Sequence, residues 1–284
     1  LIQFSGLVSI FGIFKKIENK NKYYYFLLAI TSPIILFLSS TAKPQLFHIC
    51  SSVVVFSLYF LNNSKKLTTN EEKWKILLSL LILLVSVSAK FNFILSSFIL
   101  IIYIFYISIK NNSYKFFLYT SVLIFLIFYL PIIFWKYLNL GGNFFQYLYS
   151  PVPLNILGLA EFKQYLVRYG GGTNYLKIIF PTNLNQISNS VGVAFCYIFL
   201  LNFRNKHVRI VFLMIISYLT LNYIFGQFIG RIFLEPLFWI LLISAKYGNS
   251  LRLKIFEYFC RFQTFIVIGA ILYGVFTIFP ATFS

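Results

Sequence analysis

Arg231 and Glu235 stand four residues apart in GRIFLEPLFWILL (residues 230–242), a stretch that is otherwise mostly apolar. An ionisable pair at the head of a water-avoiding run has two uses. The side chains neutralise each other along one helix face at i,i+4. Alternatively, the guanidinium meets an anion and the carboxylate holds it in place by hydrogen bonding. Two further stretches set polar groups between apolar runs: SSTAKPQLFH (39–48) carries Lys43, Gln45 and His48, and SVSAKFNF (86–93) carries Lys90 and Asn92. A lone lysine at a helix end snorkels towards water, and His48 fits a helix-packing role. As a set, however, Lys43, Lys90 and Arg231, with Gln45, Asn92 and Glu235 beside them, suit an anionic lipid head group. Lysine and arginine bind phosphate oxygens through charge-assisted hydrogen bonds.

Other chemistry has no footing in the sequence. Cys50, Cys196 and Cys260 lie in or beside apolar runs without a CxxC spacing, and read as small apolar packing residues. There is no GxGxxG, P-loop, HExxH or GxSxG motif. No metal site and no cofactor is expected.

The elements that must position these groups follow from composition. The chain of 284 residues is 60% hydrophobic and only 11% charged, against about 25% charged in a soluble domain. Apolar runs recur over about 1–14, 23–40, 46–61, 76–89, 92–109, 116–135, 190–203, 208–225, 231–245 and 264–280. In lipid a backbone must close its own hydrogen bonds, so each run is expected to be a helix. The expected fold is all-α, a polytopic transmembrane bundle of about ten helices forming a single domain over 1–284, with one long outer loop over 136–189.

Charge sets the orientation. Seventeen of the 24 Lys and Arg fall in alternate connections, at 15–22, 62–75, 110–115, 204–209 and 246–263. These are expected to face the cytoplasm, where they meet anionic lipid. The net charge of +18 therefore implies a membrane surface and not nucleic acid. Leu1 is the first residue, Met214 the sole methionine, and aspartate is absent. Residues 1–14 are accordingly expected to be the tail of a helix whose beginning is missing.

The ordered stretches TSPIILFLSSTAKPQLF (31–47), LLVSVSAKFNFILS (83–96), WKYLNLGGNFFQYLYSPVP (135–153) and GRIFLEPLFWILL resemble those of the GT-C-fold membrane glycosyltransferases of bacteria, which take sugars from polyprenyl phosphates. The third departs from the family pattern, since Phe144 follows Asn143 where proline is usual. The resemblance implies a GT-C-like bundle in the bacterial inner membrane, working on its periplasmic or extracellular face. It implies that a sugar moves from a polyprenyl-phosphate donor to a glycan, lipid or protein acceptor. Lys43, Gln45, Lys90, Asn92, Arg231 and Glu235 would serve the lipid phosphate or the substrate. The catalytic carboxylate of that group lies in the first outer loop, which the resemblance places with the first helix before Leu1, so no catalytic residue is expected within 1–284. An outer-face polymerase or ligase of lipid-linked glycans, and a polytopic transporter or lipid flippase, are the alternatives.

Overall fold

Prolines and short polar turns decide where the helices stop. The computed structural model describes residues 2–19, 22–40, 45–61, 68–89, 93–148, 190–225 and 230–247, together with 179, 258, 261–266 and 268–269. The chain divides into two compact units: 1–46, 173–212 and 229–284 form the first, and 47–172 with 213–228 the second. Every regular element among the described residues is helical.

In the first unit, α1 (Ile2–Lys15) and α2 (Lys22–Ile30) pack through Phe11 and Phe14 against Phe26. Pro33 opens α3 (Pro33–Ser40) and brings no backbone N–H, so α2 ends before it. The freed groups at this break are taken up by another segment. The Ile34 N–H donates to the Ser190 carbonyl at 3.0 Å, and the Ser32 hydroxyl to the Val191 carbonyl at 2.8 Å. Gly192, at φ 82° and ψ −179°, then leads into a 3-10 helix, Val193–Leu200.

The second unit holds α5 (Thr69–Ala89), α6 (Ile94–Lys110), α7 (Tyr114–Ile124) and α8 (Leu130–Leu140). The boundary between the units falls within α4 (Gln45–Phe60) and α9 (Lys206–Phe225). A reciprocal cap starts α5: the Glu71 N–H donates to the Thr68 hydroxyl oxygen, and the Thr68 N–H to the Glu71 carboxylate at 2.8 Å. Glu72 accepts from the Asn111 amide at 3.0 Å and the Ser113 hydroxyl at 2.7 Å, tying this helix start to the α6–α7 turn. Asn112 takes the left-handed conformation in that turn, at φ 58°. Between α7 and α8 the helix widens into a π turn, Phe125–Tyr129, where the Leu130 N–H reaches back to the Phe125 carbonyl. Pro131 follows at once. Its ring would meet the carbonyl four residues back in a plain α-helix, and the wider turn relieves that contact.

The expectation of about ten spanning helices in a GT-C-like bundle is overturned. Among the described residues, two helices are long and apolar enough to cross a membrane, Tyr114–Leu140 with 27 residues and Lys206–Ile224 with 19. In both, most of the apolar window is unburied, 28% and 33% being covered, whereas the core helix of a soluble protein is mostly covered. Tyr119, Val122, Trp135 and Leu138 all point outward. By length and composition these two helices fit association with a membrane.

The other apolar runs fold differently for physical reasons. The run 23–40 breaks at Pro33 into helices of 9 and 8 residues. The run 190–203 yields an 8-residue 3-10 helix. The run 231–245 becomes a 3-10 turn, Gly230–Phe233, and then α10 (Leu234–Tyr247). At 14 residues, α10 is about 21 Å long, short of the ~30 Å hydrocarbon core. Residues Leu234 to Ala245 are all buried, so its apolar side chains serve packing within the protein. A helix that is apolar all round is equally a core helix. The expected loop over 136–189 also starts later, since α8 runs to Leu140 and a 3-10 turn takes Phe144–Leu148. Apart from 136–148 and Ile179, the rest of that loop lies outside the described residues, as does most of 264–280.

Candidate functional site

One end of the second unit brings together two of the segments singled out from sequence, 83–96 and 135–153. Val87 near the end of α5, Tyr129 in the π turn, Ile133 in α8 and Tyr147 form a buried apolar cluster. Ile94, Phe125, Phe144 and Leu148 pack against it. The flanks of the α5–α6 connection, which carries Lys90 and Asn92, are thus held beside the segment 141–148.

That segment has its own internal architecture. Gly141 ends α8 at φ 68°, and Gly142 continues at φ 88°, both in the region that favours glycine. The Phe145 N–H donates to the Asn143 side-chain oxygen at 3.0 Å. The fully buried Tyr147 folds back, its hydroxyl donating to the Gly141 carbonyl at 2.6 Å. From the start of α4, His48 brings its ring to 5.1 Å from that of Phe93 and is itself buried. His48 therefore packs against an aromatic ring, as the sequence suggested.

Of the six predicted residues, Lys43, Lys90 and Asn92 lie outside the described residues. For Gln45 and Arg231 the backbone alone is described, at the start of α4 and in the 3-10 turn before α10. Glu235 is fully described. It lies in the first turn of α10 and is 2% exposed. A helix N-terminus favours a carboxylate there. Arg231 and Glu235 belong to helices of different pitch, so simple α-helical i,i+4 register does not govern the pair. Pro236 falls in the first turn of α10, where the missing N–H costs least.

Lys75 is a group that the sequence does not single out. It stands in the basic connection 62–75 expected to face the cytoplasm, yet its ammonium lies 4.1 Å from the centre of the Tyr59 ring. Burial pushes it down to about 8, and Glu72 one turn earlier opposes this. The signal that could have found it is the Thr-x-x-Glu cap at Thr68, which starts the helix seven residues before Lys75. Among the described residues no three His, Cys, Asp or Glu gather to hold a metal ion.

The whole chain, residues 1–284, matches the family described as the DUF1420 N-terminal domain. Neither the curated proteins nor the solved structures contain a match to it.

Proposed function

The chain belongs to the DUF1420 N-terminal domain family, and for this member we propose glycosyl transfer from a polyprenyl-phosphate sugar at a membrane surface. The observation that carries the reading is the buried cluster of Val87, Tyr129, Ile133 and Tyr147. It pins both flanks of the Lys90–Asn92 connection against the Gly141–Leu148 turn, at the end of a helix fit to cross a membrane. Apolar packing of the flanks of a lysine-bearing connection supports a head-group site at the lipid–water boundary.

In this reading the acceptor attacks the anomeric carbon of the sugar, the carbon–oxygen bond to the lipid phosphate breaks, and the acceptor loses a proton. Lys90 meets the negative charge that grows on the departing phosphate, and Asn92 orients it. The general base is not assigned to any residue of this chain. The opposite end of the second unit carries Lys73, Lys75, Lys110 and Lys115. By the excess of Lys and Arg that end faces the cytoplasm of a bacterial inner membrane, and the Lys90 end faces outward.

The test is transfer of labelled sugar from a polyprenyl-phosphate donor in membranes containing the whole protein. Lys90→Ala should lower transfer at least a hundredfold, on the order of the loss of one transition-state charge contact. Unchanged transfer, with the variant present at normal levels, would overturn the proposal.

A further inference from the structure

A second feature lies within the first unit and does not rest on the glycosyl-transfer reading. Three separate stretches meet at the end of α10. The Asn19 amide, between α1 and α2, donates to the Ala245 carbonyl at 2.6 Å. The His207 ring, in the first turn of α9, lies parallel to that of Tyr247, with centroids 5.8 Å apart and planes 7° apart. The Lys22 ammonium donates to the Lys15 carbonyl at 2.8 Å, closing the α1–α2 connection on itself.

The surface so assembled is strongly cationic. Lys15, Lys22, Arg204, Lys206, Arg209 and Lys246 contribute, and Glu18 is the one carboxylate among the described residues of these stretches. Lys15, Arg204, Lys206 and Arg209 are exposed. Burial lowers the pKa of Lys246, with Glu18 acting in the opposite direction.

The placement of the charges runs against helix electrostatics. Asn205 caps α9, its side-chain oxygen accepting the His207 N–H at 2.8 Å. Lys206 and Arg209 then fall in the first turn, where the helix dipole is already positive and an anion is favoured. Lys206 also opens the 19-residue helix that is long and apolar enough to cross a membrane. Cations at the water-facing end of such a helix lie at the depth of lipid phosphates.

We propose that the His207–Tyr247 stack and the cations around it form a binding surface for anionic lipid head groups. Phosphate oxygens take hydrogen bonds from Arg204, Lys206, Arg209 and Lys246, and offset the positive potential at the start of α9. Recruitment by charge alone weakens with salt, because the screening length falls to about 3 Å at 1 M.

The experiment is native mass spectrometry of the full chain released from detergent with added phosphatidylglycerol or phosphatidylcholine. The wild type should retain the anionic lipid preferentially, and rising ammonium acetate should reduce the preference. Arg204→Gln with Arg209→Gln should weaken retention of phosphatidylglycerol on the order of tenfold, from the loss of two near-surface charges. Lys110→Gln with Lys115→Gln removes as much charge from the second unit and should weaken it much less. Equal retention of both lipids by the wild type would overturn the proposal without recourse to any variant. So would equal losses in the two double variants, or full displacement of lipid by millimolar inorganic phosphate.

Discussion

The Tyr147 hydroxyl donates to the Gly141 carbonyl at 2.6 Å, closing a loop of seven residues at the end of α8. The ring also serves the apolar cluster with Val87, Tyr129 and Ile133. Tyr147→Phe keeps the ring and removes the bond. It should cost about 1 kcal/mol in denaturant unfolding of detergent-solubilised protein. A wild-type unfolding curve for the variant would show that this bond contributes nothing.

Gly192 combines a positive φ with extended ψ, a region essentially reserved for glycine. A Cβ placed there would also stand 2.7 Å from the Gln263 side-chain oxygen. That side chain can move aside, so the backbone strain sets the penalty. Gly192→Ala should destabilise the protein by about 1–3 kcal/mol, seen as a lower midpoint of thermal unfolding.

Lys75 makes stability depend on alkaline pH. In the unfolded chain it holds its proton to about 10.5, and in the folded protein only to about 8. Between those values the unfolded state binds more protons, so stability rises with pH across the window. Below it both states are charged, and the cost of burying the ammonium is fully present. Lys75→Met should flatten the rise between pH 8 and 10, measured as unfolding midpoint against pH. A slope identical to that of the wild type would assign the rise to other groups.

The cap at Thr68 gives a fourth expectation. Thr68→Ala removes the hydroxyl that receives the Glu71 N–H and donates to the Glu71 carboxylate, which keeps only the backbone N–H of residue 68. The loss should be about 1 kcal/mol. Thr68→Ser should restore most of it; failure of serine to do so would show that the threonine methyl, and not the cap, is what matters.

The helical nature of the chain was legible because apolar runs without alternation leave few other choices. Span lengths were not. The same apolar residues build α10, buried on all sides, and the outward-facing Tyr114–Leu140 helix, and hydropathy does not distinguish a core from a lipid neighbour. Pro33 was visible in the sequence, but the break it makes depends on Ser190 and Val191 receiving the hydrogen bonds there. Those partners lie more than 150 residues away, beyond any local pattern. Of the candidate site, the SAKFNF and GGNFFQYL stretches were visible in the sequence, but the packing of their flanks was not. The contact itself needs Tyr129 and Ile133 on one side of α8. The burial of Lys75 was hidden by its run of charged neighbours, Glu71, Glu72 and Lys73.

The π turn at Phe125–Tyr129 also sets the phase of its helix. The inward residues along it are Phe117, Thr120, Ile124, Tyr129 and Ile133, so one interval of five falls among threes and fours. A single residue turns an α-helix by about 100°. Without the wide turn, Phe128 would occupy the inward azimuth and Tyr129 would swing away from Tyr147. Deleting Ile127 alone would restore the azimuth but leave Pro131 colliding with the turn before it. Deleting it together with Pro131→Ala should give a straight rod of ordinary pitch that presents the same inward stripe.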